Sequence, residues 1–500
     1  MRRLVDKIGS LKLEVIKLSV VTPFAIILRL IFNILLGRKF GVSWQLDCFF
    51  ISFALFGLLG IFNNFLDSLF IPIFNDVRKR SINESIIFFD VVMKWSIILS
   101  LVIFFLVRKF DVVIIKIIAP SFSERNIMLT KKLFDILLFA LIFYNATRIL
   151  QIALNAIYHY FIPSVVNLLI PLIEIASLFI LVPIYGIKGI VIGSLFANFL
   201  IAVIFAFLFH SKTGWVPRTQ LYHKNFPQLV IQSSKMALSG IIWNLRTVVS
   251  KSIASRLGEG AVTLFSYAER IIKLLIQTIV IPMLSVYYSR IAELVSSLNW
   301  QKTKALCADV LKVSMAISFI VASVIVIFLP YVLRILFLGS KFTTGDVKII
   351  SILVNILLLY FIIVAFESYI SRIVIALKNI GIVTVNSVVG LVVLTASAAM
   401  LYKKYDLYSI AISWVLSQVT VAGVYYLFMR KLMELSVVRL IISFSKSFLI
   451  ASVFLSIGLF IRRLSLSDTV FVFIVLPLWL GLYYIVAYRV LKAEKKIVFS

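Results

Sequence analysis

The sequence predicts an all-α polytopic membrane protein of about fourteen transmembrane helices, built as two pseudo-symmetric six-helix lobes plus two C-terminal helices. Three observations lead there. The 500 residues are 62% hydrophobic and 14% charged, with a mean hydropathy of +1.10. Soluble domains run about 45–50% apolar and about 25% charged. Apolar runs long enough to cross a bilayer follow one another from residue 14 almost to the end, with only short polar punctuation. Short segments also recur in order between the two halves of the chain.

The spans read as 14–37, 48–74, 86–107, 133–157, 162–184, 187–210, 235–257, 260–288, 305–330, 346–376, 379–402, 407–429, 438–461 and 468–490. The first run is longer than a signal-peptide core and lacks a small-residue cleavage site, so it reads as a retained span. An even number of spans puts both termini on one side. That side carries roughly 23 Lys and Arg outside the spans and the other roughly 17, a bias that favours cytoplasmic termini. Arg2, Arg3, Lys7, Lys12 and Lys17 reinforce it, while the segment 108–132 places several cations on the far side.

The longest polar stretch, 211–234, divides the chain into six spans and eight. Ala153-Leu154 precedes Ser164-Val165-Val166-Asn167-Leu168, and Ala376-Leu377 precedes Ser387-Val388-Val389-Gly390-Leu391, at an offset of 223 for both members. Ile71-Pro72 and Ile281-Pro282 occupy equivalent spans. The expected organisation is an N-terminal lobe 1–210, a cytoplasmic linker 211–234, a second lobe 235–430, and spans 13 and 14 with a basic tail over 431–500. Each repeat has an even number of spans, so both lobes share one orientation, as in parallel-repeat transporters. Pro23, Pro72, Pro163, Pro282 and Pro330 read as helix-end or kink residues.

Composition narrows the chemistry. The cysteines are Cys48 and Cys307 and the histidines His159, His210 and His223, with no metal-ligand spacing. No metal or cofactor is expected, and both cysteines read as small hydrophobes. A net charge of +29 suggests nucleic acid in a soluble protein. Here the cations are scattered between apolar runs, so the partners expected are membrane lipids and an anionic substrate, not nucleic acid.

Ionisable groups inside spans cost about 2.5–3.5 kcal/mol each on insertion scales and face an interior or a wet cavity. Span 1 puts Arg29 and Asn33 on one face, span 4 has Arg148, span 5 Glu174, and span 7 Arg246 and Lys251. Glu269 and Arg270 lie in span 8, and Glu367 and Arg372 in span 10. Asp90–Lys94 and Glu269–Lys273 are i,i+4 pairs that read as local neutralisation. Arg270, Arg29, Arg246, Lys251, Arg148 and Arg372 are therefore the candidate substrate-binding cations. Asp47, Glu174, Glu269 and Glu367 are the candidate cavity or coupling acids.

Several segments resemble a known family. Phe40-Gly41-Val42-Ser43, Asp47-Cys48-Phe49-Phe50-Ile51-Ser52-Phe53 and Phe70-Ile71-Pro72-Ile73-Phe74 are similar to the first two spans of the MurJ/MviN lipid II flippases. Ala119-Pro120-Ser121-Phe122 resembles their segment after span 3. Gly260-Ala261-Val262 with Ser266-Tyr267-Ala268-Glu269-Arg270, and Tyr288-Ser289-Arg290, resemble the start and end of their eighth span. Helix count and repeat extend the resemblance over nearly the whole chain, within the multidrug/oligosaccharidyl-lipid/polysaccharide exporter superfamily.

The resemblance implies a carrier of polyprenyl-diphosphate-linked saccharides, multi-pass in a bacterial cytoplasmic membrane and functional as a monomer, whose cavity arginines hold the diphosphate. Arg270 matches the family's span 8 arginine, and Asp47 the acid opening span 2. The arginines the family carries in span 1 and span 2 are absent: Ile26 and Phe32 stand at the first, and Leu58-Leu59-Gly60-Ile61-Phe62 surrounds the second. Spans 7, 11 and 12 hold no Asp or Glu, which leaves the coupling ion, or membrane potential alone, open. A flippase for O-antigen, capsule or exopolysaccharide repeat units shares nearly all these features. A drug/cation antiporter of the superfamily would show anionic binding residues, and a membrane glycosyltransferase paired acids or a sizeable outer loop.

Overall fold

The computed structural model describes residues 2–60, 66–297, 300–337, 339–377, 379–433, 437–462 and 467–481, and all regular structure among them is helical. Seven helices are long and apolar enough to cross a membrane by length and composition. Others carry embedded charges, as in Ile82–Ile118, or are shorter apolar stretches, as in Trp44–Leu59. The expected basic tail lies outside the described residues.

The chain divides into two compact units, Met1–Thr263 and Leu264–Ser500. Unit 1 begins with α1 (Arg2–Phe40), a turn at Gly41 with φ of +66°, and α2 (Trp44–Leu59). Then come α3 (Leu66–Arg80), α4 (Ile82–Ile118) and α5 (Glu124–Ala156). Helix α4 runs eleven residues past the expected end of span 3, because nothing from Arg108 to Ile118 breaks it before Ala119-Pro120. Ser81 and Ser123 start α4 and α5 by accepting from the amides of Glu84 and Asn126.

Span 5, expected as one helix, is three: α6 (Phe161–Val166), α7 (Leu169–Ile180) and α8 (Val182–Tyr185). Pro163, Pro171 and Pro183 each remove a backbone donor along it. Helix α9 (Lys188–Thr213) ends at Gly214, whose φ of +68° is the left-handed cap that glycine adopts without strain. Helix α10 (Phe226–Ser255) packs against α2, α3 and α4 within unit 1. The core joins α3, α4, α5 and α9 through Phe70, Phe74, Phe88, Phe89, Ile149 and Phe205. The Lys39 ammonium caps the carbonyl of Leu178, fastening the end of α1 to α7.

Helix α11 (Ala261–Leu275) starts at the end of unit 1 and carries the chain into unit 2. A π turn over Ile276–Val280 links it to α12 (Ile281–Ser296). Then follow α13 (Trp300–Phe337), α14 (Thr344–Ala376), α15 (Ile380–Tyr405), α16 (Tyr408–Met433), α17 (Val437–Ile461) and α18 (Asp468–Gly481). A second π turn spans Phe471–Val475 in α18. Each π turn begins six residues before a proline, Pro282 or Pro477. The pyrrolidine cannot donate and crowds the preceding turn, and a widened i→i+5 turn relieves both. Helices α17 and α18 pack on α13 through Ile327, Phe328, Phe454, Phe471 and Trp479.

Candidate functional site

A buried polar constellation in unit 1 surrounds Asp47, in the first turn of α2. Its Oδ2 accepts from the Gly260 amide at 2.6 Å, and its Oδ1 accepts from the Thr263 amide at 2.7 Å and the Thr263 hydroxyl at 2.6 Å. The first amides of a helix have no partner within it, and a carboxylate there also meets the positive end of the helix dipole. Asp47 thus caps the start of α11 from a different helix. The turn needs glycine: Gly260 sits at φ +85°, and a Cβ there would lie 2.4 Å from Val42 Cγ1. One turn on, the Lys251 ammonium from α10 reaches the Phe50 carbonyl at 3.3 Å and lies 5.6 Å from the Phe50 ring centroid.

The remaining candidates of unit 1 are spread over several helices. Arg246 is buried in α10 with its guanidinium carbon 4.4 Å from the Trp243 ring centroid. Arg29 is exposed on α1, and its carbonyl accepts from the Asn33 side chain at 2.8 Å. Arg148 is half-buried on α5 and donates to Gln151 at 3.4 Å. Glu174 is half-buried on α7, where its carbonyl accepts from the Ser177 hydroxyl at 2.7 Å. Asn145, three residues before Arg148, ties α5 to α4 by donating to the Ser100 hydroxyl at 2.7 Å.

Unit 2 holds the others. Glu269 is buried and paired with Lys273 at 2.6 Å, the neutralisation its i,i+4 spacing implied. Arg270 follows it at the half-buried edge of α11. Glu367 on α14 is buried and accepts from the Gln418 amide of α16 at 3.3 Å. Arg372, five residues further along α14, is half-buried.

Asp90–Lys94 is more than the local pair its spacing suggested. Besides Lys94 at 2.6 Å, the buried Asp90 carboxylate accepts from the Trp215 indole at 3.1 Å and the Arg218 amide at 3.2 Å. Lys94 also donates to the carbonyls of Arg218 and Gln220, and the Trp95 indole to the Leu221 carbonyl at 2.9 Å. His223 meets Glu84 at 3.3 Å with its ring 5.2 Å from Phe88. The first part of the polar linker is thereby clasped along α4. Burial pulls the His223 imidazole below its ordinary range, against the raising effect of the Glu84 carboxylate. Trp215 and His223 in a polar linker were the only sequence hint of this clasp.

Among the described residues no group of three or more His, Cys, Asp or Glu is placed to hold a metal ion. Cys48 and Cys307 are buried free thiols.

The family model described as "Lipid II flippase MurJ" matches residues 36–480. The chain belongs to the lipid II flippase MurJ family. A curated relative, the "Probable lipid II flippase MurJ" of Borreliella burgdorferi, is 24% identical over 284 residues. That alignment spans 57% of this MurJ-family chain and 56% of the relative, so the chain matches about half of the relative's length. A structure titled "Lipid II flippase MurJ, inward closed conformation" superposes with a TM-score of 0.81 at 21% identity, covering 96% of this chain and 99% of the other. An inward-facing multidrug resistance MATE family transporter of the MOP superfamily gives 0.69 at 18% identity, over 81% and 94%. A MOP superfamily transporter from Pyrococcus furiosus, whose title reports a binding pocket of reverse polarity, gives 0.59 at 16%, over 84% and 95%. These likenesses show that this MurJ-family chain has a fold shared with transporters.

Proposed function

We propose that this MurJ-family chain moves a polyprenyl-diphosphate-linked saccharide, lipid II or a related cell-envelope precursor, from the inner to the outer leaflet of a bacterial cytoplasmic membrane. It would do so by alternating access, without making or breaking covalent bonds. The observation that carries this reading is the family match over residues 36–480 on a transporter fold.

A diphosphate loses its hydration in hydrocarbon, and guanidinium groups replace that hydration through charge-assisted, bidentate hydrogen bonds. Arg270 is the principal headgroup ligand in this scheme, with Arg29, Arg246, Arg148 and Arg372 as further cations. Lys251 joins them only after leaving the Phe50 carbonyl, which ties its part to a change of state. With both termini cytoplasmic, Asp47 lies at the outer end of α2. Its bonds to Gly260 and Thr263 then form an outer latch that must open for release. The lobes 1–210 and 235–430 rock about the headgroup, and an inside-negative membrane potential favours its outward passage. Glu174, Glu269 and Glu367 remain the acids at which an ion would couple.

A second reading is favoured by one observation. Ile26, Phe32 and Leu58–Gly60 stand where the family carries arginines, which suits a surface-polysaccharide repeat unit in place of lipid II.

Complementation of a strain depleted of its lipid II flippase, with an expression control, separates the two. Rescue establishes lipid II transport. Failure by correctly inserted protein, with rescue of a repeat-unit flippase deletion, establishes the second reading. In the rescuing assay Arg270→Ala at normal expression is expected to abolish transport, and full activity would remove Arg270 from the site.

A further inference from the structure

The two halves of the helix that carries Arg270 are out of step by one residue. On α11 the buried residues Phe265, Ala268 and Ile272 form a stripe at helical spacing. Leu284, Tyr287 and Ile291 repeat that stripe on α12 nineteen residues later, with Leu284 and Ile291 buried and Tyr287 packed beside each. Five α-helical turns take about eighteen residues. The π turn over Ile276–Val280 absorbs the extra one, for the Ile281 amide donates to the Ile276 carbonyl, five residues back. Pro282, next in the chain, has no amide with which to close an α-helical turn on Thr278.

Both stripes therefore face the same pair of helices. Phe265 meets Trp414 of α16 edge-on, with centroids 6.1 Å apart, and Trp414 meets Tyr360 of α14 at 5.0 Å. Leu284 clusters with Tyr369 of α14, and Ile291 with Ile370 and Ile373 of the same helix. Arg270 stands five residues after Phe265 and two before Ile272. At about 100° per residue that is the far side of α11 from the stripe, and there it is half-buried. In an unbroken α-helix of this sequence α11 would be turned by roughly 100° against α12, which carries Arg270 from the far side toward the packed one.

We propose that Pro282 and the π turn are positioning elements for Arg270: they fix the rotation of α11, and with it the side from which the guanidinium meets an anionic headgroup. The proposal rests on the reading of Arg270 as the headgroup ligand. Pro282 touches no substrate in this scheme and acts through the helix alone. The second π turn, before Pro477, has the same relation to its proline in a helix that carries no candidate ligand, and serves as an internal control.

The test is the rate at which a water-soluble maleimide labels Arg270→Cys in the full chain in nanodiscs, set beside transport by the same variants with Arg270 intact. Cys48 and Cys307 are buried thiols and give a low background. Deleting Thr278 together with Pro282→Ala sets the stripes eighteen residues apart, so a plain α-helix keeps them in phase and Arg270 on its side. The labelling rate and transport of the parent chain are expected there. Inserting one alanine after Thr278 in Pro282→Ala sets the stripes twenty apart and turns α11 by roughly a further 100°. Arg270 starts on the far side, so either sense of rotation takes it toward the packed face. Labelling is expected to fall about tenfold as the position closes, and transport to be lost. Pro477→Ala should change neither. Labelling of the insertion variant no slower than that of the deletion variant overturns the proposal. If the insertion variant fails to fold, Pro282→Ala alone takes its place. It lets α and π turns interchange, so labelling should fall about threefold and deletion of Thr278 should bring it back. An unchanged rate there overturns the proposal as well. Labelling that shifts as expected while transport persists removes Arg270 as the ligand and leaves the geometry standing, so the two failures are told apart.

Discussion

Asp47 and Thr263 are 216 residues apart and joined twice, through the amide and the hydroxyl of the threonine, by one carboxylate oxygen. The other oxygen takes the Gly260 amide, so a single acid closes the start of α11 onto α2.

Asp47→Ala is expected to strip those donors of their acceptor. Leaving buried donors unsatisfied costs about 1–3 kcal/mol, which lowers the latched population roughly tenfold. A cysteine placed at the buried Ala261 reports this as faster labelling by an impermeant maleimide when Asp47→Ala is also present. Equal labelling rates with and without the Asp47 carboxylate would rule out a latch.

Gly260→Ala meets two obstacles at once, a φ of +85° and the Val42 side chain at 2.4 Å. The strained φ alone costs about 1–3 kcal/mol. The apparent Tm in detergent should therefore fall, and Val42→Ala should restore only part of it, because removing the clash does not change φ.

The linker clasp is expected to weaken on acidification. The His223 value is lowered by burial, so the docked state prefers the neutral ring. The undocked segment binds the proton more readily between the lowered value and the ordinary one near 6.5. Docking is at full strength above that ordinary value and weakens as pH falls through the lowered one. Hydrogen exchange over 214–226, corrected for intrinsic rate, should rise on acidification and become insensitive in His223→Gln. Asp90→Ala should open the clasp at every pH, since removing one member of a buried pair costs about 3–5 kcal/mol.

Gly458 in α17 lets that helix approach α13, for an added Cβ would lie 2.2 Å from Ile327 Cδ1. Alanine there should cost about 1–3 kcal/mol, because the Ile327 Cγ1 at 2.9 Å and the Trp479 ring at 3.3 Å must give way along with the terminal methyl. Gly458→Val should cost more, and Ile327→Ala should recover part of it in a double-mutant cycle on thermal unfolding.

Periodicity and length placed most helices, because an apolar run in a bilayer must satisfy its own backbone as a helix. The family was legible in short motifs, among them the Tyr-Ala-Glu-Arg run ending at Arg270. Prolines did not by themselves tell where a helix would break: Pro163 and its neighbours divided span 5 into three, Pro282 and Pro477 widened a turn and left the helix continuous, and Pro23, Pro72 and Pro330 lie inside continuous helices. Asp47 stood out as the acid opening span 2, yet its partners did not, since only the fold brings Gly260 and Thr263 to it. Asp90–Lys94 shows the same limit from the other side. Spacing gave the nearer partner correctly and hid Trp215 and Arg218, which became neighbours only when the linker folded back on α4.

By itself the sequence determined a helical membrane chain, its approximate spans and its family, since these follow from composition, hydrophobic runs and local motifs. The tertiary structure alone decided which polar groups meet: the Asp47 cap and the linker clasp. Helix formation is set by neighbours along the chain, whereas a buried hydrogen bond or ion pair is set by groups hundreds of residues away.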